Sequence, residues 1–390
     1  MRVEMSECAL SHRFVEALPS EVEEVCEQPR AAEPLGRGRR VVIVAPTLDI
    51  LGGQGVQAQS LYEHLQAEGY EVSLLPINPS FPARLRFLRR YRYVRTIVNQ
   101  LLFVPSLARL RRAEVVHVFS AAYWAFLLAP VPTMIISRLL RKRTLLHYHS
   151  GEAQDHLMRW GLRVHPWLRL AHEIVVPSEY LREVFSSNGY RVQVVRNVIA
   201  LDRFRFRERT PLRPRLLCTR NLEPHYGVDV VIRAFALVRT RFPEATLCIV
   251  GYGSESTRLK RLAASIAPDH IQFLGRVEPA QIPGVYDRSD IFLNGALIDN
   301  QPVSVLEAFA CGLPVVSTNV GDLPNMLEEG AAGCLVPPGD ALAMAAAVIG
   351  LLKDPLHAMK LGRRARDLAA EYCWGSVRWQ WAALYGRSAA

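Results

Sequence analysis

The run Asp299-Asn300-Gln301-Pro302-Val303-Ser304-Val305-Leu306-Glu307-Ala308-Phe309-Ala310-Cys311-Gly312-Leu313-Pro314-Val315-Val316 decides how the rest of the chain is read. Pro302 suits the first turn of a helix, where its missing N–H would have no partner anyway. Val303, Val305, Leu306, Ala308, Phe309 and Ala310 are apolar nearly all round, which predicts a short buried helix. Gly312 is placed to end it, and Leu313 to Ser317 reads as a buried strand. Into this apolar helix the sequence puts one carboxylate, Glu307. A buried charge is costly unless it is paired, hydrogen-bonded or set against a ligand. Asp299 stands eight residues earlier, in the loop before the helix. Both carboxylates are expected to line one pocket at the helix N-terminus, where free N–H groups favour a phosphate. The pattern alone fits a structural glutamate bonded to backbone equally well.

Outward from this run, the pattern repeats the logic of strand, turn and helix. Arg40 to Pro46 is β-branched and apolar, as expected of a parallel strand buried on both faces. Leu51-Gly52-Gly53-Gln54-Gly55-Val56 follows as a glycine turn. Ala58, Leu61, Tyr62 and Leu65 then recur at helical spacing before Gly69 and a second strand, Glu71 to Leu75. The turn lets a ligand approach the backbone closely, but it is not the G-x-G-x-x-G dinucleotide fingerprint. Further strands are expected at 114–119, at 144–151 running into a turn, at 174–178 and at 192–199. A charged, proline-bearing stretch at 203–214 marks a domain boundary. Beyond it, strands are expected at 215–219, at 245–254 ending in a glycine turn, at 271–277 and at 290–294. The apolar run 121–140 approaches membrane-spanning length, but Pro130 and Pro132 predict two buried helices instead. Three histidines (147, 149 and 156) match no zinc spacing, so no metal site is expected.

Composition bounds the partners. The 390 residues carry 47 Lys and Arg against 37 Asp and Glu, a formal charge of +10, which points to an anionic partner. Nine arginines and no acidic residue fall between 84 and 112, interleaved with Leu85, Phe87, Tyr91, Tyr93, Ile97, Leu101 and Phe103. Such a stretch reads as an interfacial membrane anchor, or as a surface helix with a solvated arginine face. No nucleic-acid module accompanies it, so nucleic acid is set aside. The seven cysteines show no C-x-x-C pairing; Cys218, Cys248 and Cys311 read as core residues of a reducing compartment. The first 35 residues are polar, with no apolar signal-peptide core.

The run at 299–316 resembles the E-x7-E signature of the retaining family 4 glycosyltransferases, enzymes of the GT-B fold. The family's usual run is E-G-F-P, a few apolar residues, then E-A-M-A-C-G-x-P-V-V. Asp299 stands for the first Glu and Asn300-Gln301 for Gly-Phe, while Pro302 and Glu307 to Val316 fit closely. Other motifs follow in the family's order: the glycine turn, an H-x-G at His149, Arg220 for the Arg of G-R-L-x-x-x-K-G, and I-V-G-x-G around Gly251.

The resemblance implies an α/β protein of two Rossmann-like domains with parallel sheets facing a cleft. Residues 38–205 would bind the acceptor, 206–370 the nucleotide sugar, and 371–390 would form a helix crossing back to the first domain, after a flexible tail at 1–37. It implies retaining, metal-independent transfer of a sugar from a nucleotide diphosphate sugar, with no cofactor. Gly52, Gly53 and Gln54 would face the cleft, and His149 would bond the donor sugar. Arg220 and the helix N-terminus around Pro302, Val303 and Ser304 would grip the diphosphate. Backbone near Arg276 and Val277 would meet the base. Asp299 and the Asn300-Gln301 backbone would hold sugar hydroxyls, and Glu307 the ribose. Family members often modify lipid-linked acceptors, which implies a cytoplasmic enzyme peripheral on the inner face of the membrane, making glycolipid or envelope glycan. Tyr226 stands where the family has its phosphate-binding Lys, and a phenol brings no charge. That departure and Asp299 leave two other readings open: a GT-B fold-mate that binds without transferring, and a sugar-nucleotide epimerase. Oligomeric state leaves no mark on the sequence.

Overall fold

Short aliphatic runs form the two sheets on which everything else is hung. In the computed structural model, which describes residues 35–36, 38–47 and 53–386, the first sheet holds β1 (Arg40–Ala45), β2 (Glu71–Pro76), β3 (Val115–Ser120), β4 (Arg143–Tyr148), β5 (Glu173–Val176) and β6 (Gln193–Val194). The second holds β7 (Arg215–Thr219), β8 (Thr246–Val250), β9 (Ile271–Gly275), β10 (Ile291–Asn294), β11 (Val315–Thr318) and β12 (Cys334–Val336). All pairings are parallel. The strand orders are β2-β1-β3-β4-β5-β6 and β12-β11-β10-β7-β8-β9. Each order reverses once, between β1 and β3 and between β7 and β10. Ligands of open α/β sheets bind beyond the strand carboxyl ends at such reversals.

The helix Val303–Ala310 follows β10 at the second reversal. Val305, Leu306, Ala308, Phe309 and Ala310 are fully buried. Burial of each large apolar side chain stabilises by about 1.5–3 kcal/mol, enough to hold a carboxylate in the same helix. Pro302 caps the helix in an extended conformation rather than opening its first turn. Gly312, at φ +69°, ends it as expected.

The last helix, Trp374–Gly386, packs Trp374, Val377, Trp381, Leu384 and Tyr385 against the core of the first sheet. Glu68 anchors it, accepting from Trp374 Nε1 at 2.9 Å and from Arg378 Nη2 at 2.7 Å. Trp379 is exposed, under the Arg378 guanidinium. Most of the expected tail lies outside the described residues. Leu35 and Gly36 do not belong to a tail: Leu35 packs on the first core and the Gly36 N–H donates to the Glu68 carbonyl at 2.8 Å. The run 121–140 forms two helices, Tyr123–Leu128 and Pro130–Leu139. Among the described residues no single helix is long and apolar enough to cross a membrane.

Candidate active site

Arg220 leaves the carboxyl end of β7 and becomes the centre of the site. Its Nη2 donates to Asp299 Oδ2 at 2.5 Å and its Nη1 to Ser304 Oγ at 3.2 Å. Its guanidinium lies 4.2 Å from the centre of the Tyr226 ring. Burial opposes the charge on Arg220, but Asp299 and, in smaller measure, Tyr226, Cys218 and Tyr286 together outweigh it and raise its pKa. Its Nε is buried without a hydrogen-bond partner. Tyr226 is therefore a platform for the one arginine rather than a second cation.

Glu307 sits one turn further along the helix. Its Oε2 accepts from the Tyr286 hydroxyl at 2.7 Å, and that hydroxyl also meets Thr219 Oγ1 at 2.6 Å and the Ser304 carbonyl at 3.0 Å. Burial pushes the Glu307 carboxyl up to about 7, with the Tyr286 bond and Arg203 opposing. The carboxylate faces a cavity of about 200 Å³ lined also by Arg203, Arg220, Gly251, Gly275, Arg276 and Val277. Arg276 is exposed on the rim, 3.6 Å from Glu278.

The two carboxylates do not share that cavity, contrary to the sequence expectation. Asp299 lines a second, larger one of about 690 Å³ between the domains. The Arg220–Asp299 pair forms the wall between the two, because Asp299 turns back from its loop to meet the arginine.

Asn300 and Gln301 also depart from expectation. Both are buried and line neither cavity. The Asn300 N–H is taken by Asp299 Oδ1 at 3.0 Å, and the Gln301 carbonyl accepts from Asn197 Nδ2 at 3.0 Å. Their side chains clasp the first domain. Gln301 Nε2 donates to the Pro177 carbonyl at 2.7 Å and its Oε1 accepts from the Asn197 N–H at 2.8 Å. Asn300 Oδ1 accepts from Ser178 Oγ at 2.5 Å. These bonds turn both side chains toward the first domain and away from either cavity.

From the first domain, Gly53 faces Val303: a Cβ built on it would lie 3.9 Å from the Val303 methyl. Gln54 turns away, donating from Nε2 to the Ser120 carbonyl at 3.0 Å and tying the turn to β3. Gly52 lies outside the described residues. His149 follows β4 with its ring stacked on Phe119 (5.1 Å) and close to His147 (4.1 Å). Burial holds its pKa down to about 3, so the ring is neutral, and its Nε2 has no partner. Gly151 touches the second domain: an added Cβ would lie 2.4 Å from the Asp299 carbonyl oxygen.

Sequence reasoning missed Tyr286, which reads as an ordinary core aromatic, and Tyr123, whose hydroxyl donates to Asp155 across the larger cavity. Neither residue carries a motif signal.

Two parallel α/β sheets facing a cleft, with the buried helix Val303–Ala310 at the second reversal, have the architecture of the GT-B fold. Models of two families match in tandem: "Glycosyltransferase Family 4" over residues 51–203 and "Glycosyl transferases group 1" over 202–368. A GDP-mannose-dependent alpha-(1-6)-phosphatidylinositol monomannoside mannosyltransferase of Mycolicibacterium smegmatis is 34% identical over 323 residues, 75% of this chain and 81% of the relative. An N-acetyl-alpha-D-glucosaminyl L-malate synthase of Bacillus anthracis is 26% identical over 82% of this chain and 90% of the relative. Among solved structures, sucrose-phosphate synthase from Thermosynechococcus elongatus aligns with a TM-score of 0.71 at 20% identity, covering 89% of this chain and 98% of that one. The Anabaena protein HepE in complex with UDP and glucose aligns at 0.69 and 16% identity, covering 89% of this chain and 99% of that one. The chain belongs to the family 4 glycosyltransferases and has the GT-B fold.

Proposed function

We propose that the chain transfers a sugar from a nucleotide diphosphate sugar to an acceptor hydroxyl, with retention at the anomeric carbon and without a bound metal. The observation that carries this is Arg220, held by Asp299, Ser304 and Tyr226 with its Nε unspent beside the smaller cavity. A fixed cation and helix amides at a departing diphosphate supply the charge stabilisation that such a reaction needs. Glu307 accepts from the ribose hydroxyls, backbone near Gly251, Arg276 and Val277 surrounds the base, and the neutral His149 Nε2 meets a sugar hydroxyl. The C1–phosphate bond breaks, the acceptor oxygen bonds C1 on the same face, and the acceptor proton passes to the leaving phosphate oxygen. The names of the relatives support a nucleotide-sugar donor, and they differ on which one.

The acceptor is proposed to be lipid-linked or an envelope glycan, met at a membrane surface. The helix Arg92–Ser106 supports this. It turns Tyr93, Ile97, Leu101 and Val104, which share one face, outward; Tyr93 is 79% and Leu101 68% exposed. Phe87 beside them is 63% exposed, and exposed arginines 84, 86, 90, 95, 109, 111 and 112 flank the patch. Apolar side chains among arginines suit an anionic lipid surface.

The missing lysine at Tyr226 favours a second reading, a protein that binds the donor without transferring it. Incubating purified protein with a panel of nucleotide sugars and acceptors, with and without EDTA, tests the proposal. The expected result is an α-configured product from an α-linked donor at an EDTA-insensitive rate. Tight donor binding with no product supports the second reading, an inverted product overturns retention, and a donor epimerised without acceptor indicates an epimerase.

A further inference from the structure

We infer that the reacting end of the acceptor is an uncharged polyol, and that the larger cavity discriminates against acceptors with a phosphate beside the reacting hydroxyl. This rests on the donor reading above, which makes the cavity beyond Asp299 the acceptor's place. Its lining carboxylates are Glu152, Asp155 and Asp299; no Lys, Arg or His is among the described residues that line it. Two of the three carboxylates are answered from outside: Asp299 by Arg220, and Asp155 by Arg159 at 2.7 Å. Glu152 makes no ion pair among the described residues. The described lining therefore carries net negative charge in a chain of net charge +10, nine of whose arginines fall between 84 and 112.

Carboxylates are acceptor-only groups with about four lone-pair sites each, which suits hydroxyls. A phosphate there would lose its water and meet like charge with no cation to receive it. Tyr123 and Tyr180 add ring faces for the apolar side of a sugar. Tyr123 is held at φ +56°, a conformation rare for a bulky residue, by its bond to Asp155 and ring contact with Trp160 at 5.4 Å. If the acceptor is a phospholipid, its phosphate stays outside, at the surface arginines.

Saturation-transfer NMR on the full chain, saturated with a nucleoside diphosphate, tests this with methyl hexosides and myo-inositol, each paired with its monophosphate. Neutral members should bind on the order of 10–100-fold tighter than their phosphates. Glu152→Lys should cut that ratio at least tenfold. Tighter binding by the phosphates, binding by neither class, or an unchanged ratio in Glu152→Lys overturns the inference. The nucleoside diphosphate signal in the same sample reports separately on the donor pocket, so its loss marks failure of the donor reading instead.

Discussion

Replacing Arg220 by lysine keeps the charge and removes the fork. The guanidinium reaches Asp299 at 2.5 Å and Ser304 at 3.2 Å together while its face lies 4.2 Å from the Tyr226 ring centre. An ammonium cannot present a plane to Tyr226 and two divergent donors to Asp299 and Ser304. If Arg220 stabilises the departing diphosphate, Arg220→Lys lowers kcat by about 10²–10³, or about 2.7–4 kcal/mol, as for loss of one preorganised donor to a developing charge. Arg220→Ala is a poorer probe. It strands Asp299, whose side chain is 11% exposed, and breaking a buried pair costs about 3–5 kcal/mol of stability. The double variant Arg220→Ala/Asp299→Asn removes that penalty and should keep the low kcat. Steady-state release of nucleoside diphosphate, alongside thermal melts, measures both effects. A wild-type kcat in Arg220→Lys refutes the reasoning, as does a loss that the melts account for entirely.

Four further outcomes follow from the structure. With Glu307 held near 7, donor kcat/KM should rise about tenfold per pH unit below about 7 and level off above, as the carboxylate forms; Glu307→Gln should be low and flat, and an unchanged profile would count against Glu307. The same raised pKa means that the protonated group contributes stability below its ordinary 4.5 that is lost as pH climbs through about 7, so Glu307→Gln should flatten that part of the melting curve against pH. Gly151→Ala puts a methyl 2.4 Å from the Asp299 carbonyl oxygen, which displaces the Asp299 loop and should lower kcat by about 10²; equal kcat would show that the domains do not meet there during turnover. Ile97→Ser/Leu101→Ser should abolish co-sedimentation with anionic vesicles while leaving solution melts unchanged, and retained binding would remove the helix Arg92–Ser106 from the membrane account.

Strands buried on both faces read as unbroken aliphatic runs, so both sheets were legible, as was the helix ended by Gly312. Pro302 shifted by one position because a helix cap and a first turn look alike in sequence. The interdomain clasp was not legible. Gln301 meets Asn197 across 104 residues and Pro177 across 124, and no local pattern encodes partners that distant. Tyr226 lies six residues from Arg220, but their stacking depends on the turn Pro224–Tyr226, which brings the ring back over the arginine. Read as a sequence, the tyrosine is a lost charge; in the fold it positions the charge that remains. Asp299 and Glu307 sit on opposite sides of that arginine for the same reason: helical spacing says where each stands, but not which partner each turns to meet.

Calorimetric titration of UDP, GDP and ADP into the wild type and Glu307→Ala addresses the donor pocket most directly. At least one nucleotide should bind the wild type, and loss of a charge-assisted hydrogen bond should weaken it by about 10–100-fold in Glu307→Ala. Equal affinity in the two proteins would contradict the assignment of the pocket beneath the helix Val303–Ala310 to the nucleotide.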